Sequence, residues 1–282
     1  MAVSVDIINQ SKDMDVSLKM IVGDDLVIGS YDENWRFVSG KPSNTMVAFN
    51  PKKPGRGIIV NLDPKDRYKI TVSLNMPAAT YDVELFVELV NRVATEWRAS
   101  VRNQAKEYMP AEVFAANADN IKKFNTESIL TASKNIIDGK ADSFCVFGAF
   151  WPLYMGIEEA KLFDSDPSEF DKWIVSKQDI DAFYSGVSFY KKEGSIKGGY
   201  AIMSDVEYVF PKKPRIPFGM AVNGEPLECE VYSVYVGNDK EMLGEVPFDT
   251  FISKLPKEKV SEYDVNDILI GPFTEEELKA FL

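Results

Sequence analysis

Three pairs of aspartates are the residues whose type and spacing could do metal chemistry. The pairs are Asp13 with Asp15, Asp164 with Asp166, and Asp179 with Asp181. Carboxylate oxygens at such short spacing are ligands that Mg²⁺ and Ca²⁺ accept. None of the pairs, however, has the glycine and the terminal glutamate at the offsets of a calcium loop. We therefore interpret them as solvated acidic turns and predict no metal site.

The chain contains no histidine, which removes much of enzyme chemistry. Ser-His-Asp and Cys-His catalysis and histidine-ligated zinc or haem all need an imidazole nitrogen. The nucleotide-binding patterns G-x-x-x-x-G-K-[ST] and G-x-G-x-x-G are also absent, and Gly198-Gly199 is predicted to interrupt a hairpin. The sequence therefore predicts no cofactor and assigns no catalytic residue. A carboxylate-based, metal-dependent hydrolase remains the alternative to a non-enzymatic protein-interaction protein.

A proline-rich loop from Pro211 to Phe218 is the best candidate for an interaction surface. Its prolines restrict the backbone in advance, so little conformational entropy is lost on binding. The residues that could contact a partner are Lys212, Lys213, Arg215 and Phe218. The three charges and the apolar ring suit an acidic or aromatic protein partner. The alternative is a plain surface connection between two strands.

The rest of the chain is organised around one stretch, in which a strand leads into a long amphipathic helix. Ile70, Val72 and Leu74 alternate with polar residues, which predicts a half-buried strand. Apolar residues then recur at helical spacing from Tyr81 onward, and Pro110 marks the predicted end of the helix. Trp97 lies on the apolar face, so we expect it in the core.

The remaining pattern predicts an α+β protein in three parts. Residues 1–76 form an antiparallel, β-rich part, residues 77–142 a helical segment, and residues 143–282 a mixed part, which together could pack as one continuous body. The helical segment includes a predicted helix from Ala111 to Lys123 and a second one that Thr126 caps and that ends before Gly139. In the last part, Asn223-Gly224 predicts a hairpin that places residues 219–222 beside residues 227–236.

The composition limits the classes of molecule that we expect the protein to bind. A net charge of −12 opposes attraction to nucleic acid and to anionic membranes, so we expect neither. The N-terminal residues lack a basic region followed by an apolar one, which favours the cytoplasm. In that reducing compartment Cys145 and Cys229 are expected to remain thiols. The oligomeric state is left open.

Three stretches resemble a known family when they are taken together. They are LNMPAATYDVELFVELV, FPKKPRIPFG and YDVNDILIGPFTEEEL. The chain resembles an uncharacterised family of bacterial cytoplasmic proteins of similar length, a domain of unknown function. The resemblance covers nearly the whole chain and implies no activity, because the stretches contain no catalytic signature.

Overall fold

The computed structural model describes residues 1–40, 43–192, 194–222 and 224–282. The chain divides into two compact units. The first contains Met1–Asp32 and Phe37–Asp179, and the second contains Glu33–Arg36 and Ile180–Leu282. The chain combines α-helices with antiparallel and mixed β-sheets, so the predicted α+β class is confirmed. The three-part division of the sequence stays a prediction.

Alternating apolar residues build the large antiparallel sheet of the first unit, which confirms the predicted N-terminal sheet. Its strand order is β3-β2-β4-β5-β6-β1-β7-β8. The strands are β1 (Ala2–Ile8), β2 (Val27–Tyr31), β3 (Phe37–Ser39), β4 (Thr45–Phe49), β5 (Ile58–Leu62), β6 (Lys69–Asn75), β7 (Ser100–Arg102) and β8 (Tyr108–Met109). In β6, Ile70, Val72 and Leu74 are buried and their neighbours are half-buried, as the alternation predicts.

Helices complete the first unit. They are α1 (Leu18–Val22), α2 (Thr80–Glu96), α3 (Ala111–Ala115), α4 (Ala118–Ile137), α5 (Ile157–Ser165) and α6 (Glu169–Gln178), with the hairpin of β9 (Phe144–Phe147) and β10 (Pro152–Met155) before α5. The apolar face of α2 packs against the sheet, where Phe86, Leu89 and Val93 are completely buried. Trp97 is also completely buried, and its indole Nε1 donates a hydrogen bond to the Met14 carbonyl at 2.7 Å.

The predicted length of this helix was wrong. The structure ends α2 at Glu96, with Trp97 as the C-terminal cap and Arg98 at a positive φ of 53°. The apolar spacing continues to Val101 because this residue is buried in β7, so periodicity alone did not mark the end. At the other end Ala79 is the capping position, and the Asp82 carboxylate accepts the backbone N–H of Ala79.

The sequence predicts two separate helices, one on each side of residue 124, and this division is also wrong. Helix α4 runs without a break from Ala118 to Ile137. Asn125, near the predicted boundary, is buried within the helix and hydrogen-bonds both the N–H and the carbonyl of Ala78. Within the described residues, no helix combines the length and the apolar character needed to cross a membrane.

Within its described residues, the second unit contains two four-stranded sheets, one two-stranded sheet and two α-helices. Its strands are β11 (Phe183–Tyr184), β12 (Ser188–Lys192), β13 (Ser195–Met203), β14 (Tyr208–Pro211), β15 (Ala221–Val222), β16 (Glu225–Pro226), β17 (Val231–Gly237), β18 (Met242–Pro247), β19 (Val260–Glu262) and β20 (Asp267–Ile270). The helices are α7 (Phe248–Lys254) and α8 (Glu275–Lys279), with a 3₁₀ turn at Lys257–Lys259. The sheet orders are β12-β13-β17-β18 and β11-β14-β20-β19.

The core of this unit lies on one face of the β12-β13-β17-β18 sheet. Tyr200, Ile202 and Val234 point to that face and pack with Phe248 and Phe251 of α7. Gly199, Ala201 and Tyr235 occupy the alternating positions, so they lie on the opposite face. That opposite face carries the site described below.

The predicted hairpin at Asn223-Gly224 is correct only in part. Strands β15 and β16 pair antiparallel over residues 221–222 and 225–226, and Asn223 lies outside the described residues. Residues 231–237 do not join that hairpin. They form β17, which pairs parallel with β13 and antiparallel with β18, because the apolar residues of β17 are buried in the core of the unit.

Candidate functional site

A cleft of about 410 Å³ lies on the open face of the β12-β13-β17-β18 sheet. We call it the tyrosine cleft and define it by Phe183, Ser185, Tyr190, Ala201, Tyr208 and Tyr235. Ala201 belongs to the floor, on β13. The aromatic residues come from β12 and β17, which flank β13, and from β11 and β14 of the second sheet. Small-molecule sites commonly have this size and this mixture of aromatic and few polar groups.

Two tyrosines meet above a glycine at one end of the tyrosine cleft. The hydroxyl groups of Tyr190 and Tyr235 are hydrogen-bonded to each other, and their ring centroids are 6.3 Å apart. A β-carbon at Gly199 would lie 2.7 Å from the Tyr235 ring, so this arrangement requires glycine. Burial, the bond to Tyr190 and the charge of Glu245 raise the pKa of the Tyr235 hydroxyl, which therefore stays protonated at neutral pH.

Ser185 is a buried polar residue of the cleft lining, which also includes Arg36 and Ser188. It follows the short strand β11, and its backbone N–H donates to the Val209 carbonyl at 2.9 Å. The residue is 6% exposed, and its Oγ has no hydrogen-bond partner among the described residues. A buried hydroxyl without a partner costs about 1–3 kcal/mol, so such groups are uncommon in folded proteins.

The loop residue Arg215 lies behind the wall of the tyrosine cleft. Its Nη2 donates to the Tyr184 hydroxyl at 2.6 Å and to Oδ2 of Asp267 at 3.0 Å. Its backbone N–H donates to the Tyr200 hydroxyl at 3.1 Å. Tyr184 also lines the cleft, whereas the Tyr200 ring lies on the core face of the sheet. Arg215 therefore holds one residue of the wall, Tyr184, through its hydroxyl group.

The other predicted loop residues take different positions. Lys212 is half-buried, and its Nζ donates to Glu262 at 2.6 Å and to the Asp264 carbonyl at 2.9 Å. Lys213 is exposed, and Phe218 is 76% exposed. Lys212, Lys213 and Arg215 line a separate depression of about 310 Å³. The structure thus brings these three together and places Phe218 further along the loop; their role in binding stays a prediction.

Two of the acidic pairs contain an aspartate that is used in local hydrogen bonds. Asp13 accepts hydrogen bonds from Asn9 and Ser11, and these bonds lower the pKa of its carboxyl group. Asp166 accepts from the hydroxyl and the backbone N–H of Ser168, which also lowers its pKa. Across residues 1–40, 43–192, 194–222 and 224–282, no group of three or more Cys, Asp or Glu residues is arranged to hold a metal ion.

Sequence reasoning missed the residues that define the tyrosine cleft. The available signal was Gly198-Gly199, which we expected to interrupt a hairpin but which lies inside β13. Two adjacent glycines in a strand indicate that neighbouring side chains approach the backbone closely. Here a β-carbon at Gly198 would lie 2.5 Å from the Tyr232 ring on the core face, while Tyr235 covers Gly199 on the open face.

Comparison with known proteins finds one family. A family model described as a domain of unknown function, DUF4299, matches residues 2–281. The match spans nearly the whole chain, as the three stretches identified in the sequence imply, and it brings no activity with it. No curated protein and no solved structure matches the chain.

Proposed function

We propose that this chain, which belongs to the DUF4299 family of domains of unknown function, is a non-enzymatic protein-interaction protein that binds its partner through the tyrosine cleft. One observation carries the proposal. The cleft combines aromatic walls with a buried Ser185 hydroxyl that has no partner in the described part of the chain. Aromatic-lined pockets with few polar groups are typical of sites that bind an anchoring group.

The alternative, a carboxylate-based metal-dependent hydrolase, receives no supporting observation from the described residues. Such an enzyme needs several carboxylates directed at one point. Arg36 lines the tyrosine cleft and donates to the Tyr184 carbonyl at 3.5 Å, and Arg215 behind the wall is engaged by Asp267 and Tyr184. We therefore propose binding and assign no catalytic residue.

The proposed partner is a protein of the cytoplasm. Cys145 and Cys229 are not joined in a disulfide, which suits a reducing compartment. The charge of −12 disfavours nucleic acid and anionic lipid as alternatives. Lys213 and Phe218 of the loop stay candidates for additional contacts, since both are exposed.

Blocking the cleft tests the proposal. Ala201→Trp places a large side chain on the floor, at a position that is exposed and therefore tolerates it. Val231→Trp is the matched control, because Val231 is 49% exposed on the same face of the sheet but outside the cleft. Both variants are first compared with wild type by melting temperature and circular dichroism.

The measurement uses displayed random peptides selected on the wild-type protein. We expect the enriched peptides to bind Ala201→Trp at least about tenfold more weakly, a loss of about 1.4 kcal/mol. Binding to Val231→Trp should be unchanged. Peptides that bind all three proteins equally, or a selection that enriches no peptide, would overturn the proposal.

A further inference from the structure

The tyrosine hydroxyl groups of the cleft are already engaged by the protein. Tyr208 accepts from the Met203 N–H at 3.0 Å, and Tyr190 and Tyr235 bond to each other. Tyr184 accepts from Arg215 at 2.6 Å. The tyrosines therefore present mainly their rings to an occupant.

The aromatic rings form two pairs, one from each sheet of the second unit. Phe183 and Tyr208 have ring centroids 6.1 Å apart, and Tyr190 and Tyr235 have centroids 6.3 Å apart. The floor at Ala201 carries only a methyl side chain. Aromatic pairs gain from offset or edge-to-face contacts with a further ring. A flat ring therefore suits this space better than a branched aliphatic group.

The Ser185 hydroxyl, which has no partner among the described residues, adds one requirement for the occupant of the cleft. Its Oγ can donate one hydrogen bond and accept others, yet the described residues supply none. An occupant that brings a donor or an acceptor to this point removes the cost of the buried hydroxyl, whereas an occupant without a polar group does not. The preferred occupant thus carries a flat ring and one polar substituent.

We infer that the group entering the tyrosine cleft is a phenol or an indole ring, hydrogen-bonded to Ser185. Its source is a tyrosine or tryptophan side chain of a protein partner. The assignment to a partner rests on the proposed function, while the ring chemistry rests on the cleft. Tyrosine and tryptophan are also the residues most enriched at the energetic centres of interfaces.

Small probes test the ring chemistry directly by ligand-observed NMR titration of the full chain. The probes 4-methylphenol and 3-methylindole reproduce the two side chains. Toluene keeps a ring but lacks the polar substituent, and 4-methylcyclohexanol keeps the hydroxyl but lacks the flat ring. We expect 4-methylphenol and 3-methylindole to bind more tightly than either control compound.

Three variants locate the binding. Ser185→Ala should weaken the binding of 4-methylphenol about fivefold, as expected for one neutral hydrogen bond, and should leave the binding of toluene unchanged. This variant should fold, because Oγ makes no hydrogen bond in the described chain. Ala201→Trp should weaken the binding of 4-methylphenol and of 3-methylindole about tenfold or more, and Val231→Trp should leave the binding of both unchanged. Equal binding of 4-methylcyclohexanol and 4-methylphenol, or unchanged 4-methylphenol binding to Ala201→Trp, would overturn the inference.

The peptide selection separates this inference from the proposed function. Enriched peptides that need the cleft but contain neither tyrosine nor tryptophan would refute the ring assignment and leave the proposed function standing. If 4-methylphenol binds through Ser185 and Ala201 while no peptide is enriched, the ring assignment stands with a free molecule as the source. In that case the protein-interaction proposal fails.

Discussion

The guanidinium Nη2 of Arg215 lies 2.7 Å from Oδ1 of Asp267, a carboxylate that is completely buried. Burial raises the pKa of Asp267, and the positive charges of Arg215 and Lys212 oppose this effect. Arg215 also donates to Tyr184 in the wall of the tyrosine cleft. The basic residue that the sequence marked as a contact candidate thus has a structural role beneath the site.

Arg215→Met should destabilise the second unit by about 3–5 kcal/mol, because it leaves the Asp267 charge buried without its partner. Urea denaturation measures the change in the free energy of unfolding. Lys213→Met is the control: Lys213 is exposed in the same loop, so a change within about 0.5 kcal/mol is expected. Adding Asp267→Leu to Arg215→Met should recover most of the loss. Equal stability of Arg215→Met and Lys213→Met would contradict the assignment.

Trp97→Ala should destabilise the first unit by about 3–5 kcal/mol. The substitution removes a completely buried ring, leaves a cavity and deletes the hydrogen bond to the Met14 carbonyl. The same denaturation experiment checks it, with Phe218→Ala as an aromatic control that is 76% exposed. A loss for Trp97→Ala no larger than the control would be inconsistent with its buried position.

The carboxyl group of Asp82 should make the stability of the first unit fall as pH rises. Asp82 is 1% exposed, and burial raises its pKa to about 6, although hydrogen bonds from the backbone of Arg56 and Ala79 oppose the shift. Between its ordinary pKa of 3.8 and about 6, the folded chain keeps a proton that the unfolded chain has lost. The contribution of Asp82 to stability is therefore lost as pH rises through this window, by about 3 kcal/mol in total.

Comparison with Asp82→Asn isolates this group from the other carboxyl groups. We expect the stability of wild type relative to the variant to decrease between about pH 4 and pH 7, and to be constant above about pH 7. The prediction concerns this slope, because the amide also alters the hydrogen bonds to residues 56 and 79. A relative stability that rises with pH would show that the folded-state pKa is lowered instead.

Short-range patterns made the strand β6 and the start of α2 predictable. The alternation at Ile70, Val72 and Leu74 and the helical spacing after Tyr81 both follow from burial of one face. The end of α2 was not predictable in the same way. Its last turn depends on the positive φ of Arg98, while Val101 continues the apolar spacing from a different element.

The tyrosine cleft could not be predicted because its parts come together only through sheet pairing. Strand β13 pairs in parallel with β17, more than two dozen residues later in the chain, and this pairing brings Tyr235 beside Ala201. The local pattern around Asn223-Gly224 favoured an antiparallel hairpin for the same residues. A long-range pairing thus prevailed over a local turn signal.

Purified protein should contain no stoichiometric zinc. The chain has no histidine, and two cysteines cannot complete a tetrahedral site within one chain. Elemental analysis after dialysis, on protein prepared without added metal, measures the content. A zinc signal of one equivalent that survives dialysis would contradict this prediction, and the oligomeric state would then show whether two chains share the ligands.

Valine at each of the two adjacent glycines of β13 should have a different main effect, because the two positions face opposite sides of the sheet. Gly198→Val meets the Tyr232 ring and Val187 in the core, so overpacking should cost about 1–3 kcal/mol. Gly199→Val meets the Tyr235 ring on the open face, where the ring can move into the cleft at a smaller cost in stability.

Gly199→Val should instead weaken the binding of 4-methylphenol about tenfold, since Tyr235 would occupy part of the space for the probe. Urea denaturation and the NMR titration are run on both variants, each serving as the control for the other. Unchanged binding to a folded Gly199→Val protein would mean that the contact between Tyr190 and Tyr235 does not shape the site, because the valine must displace the ring that makes this contact.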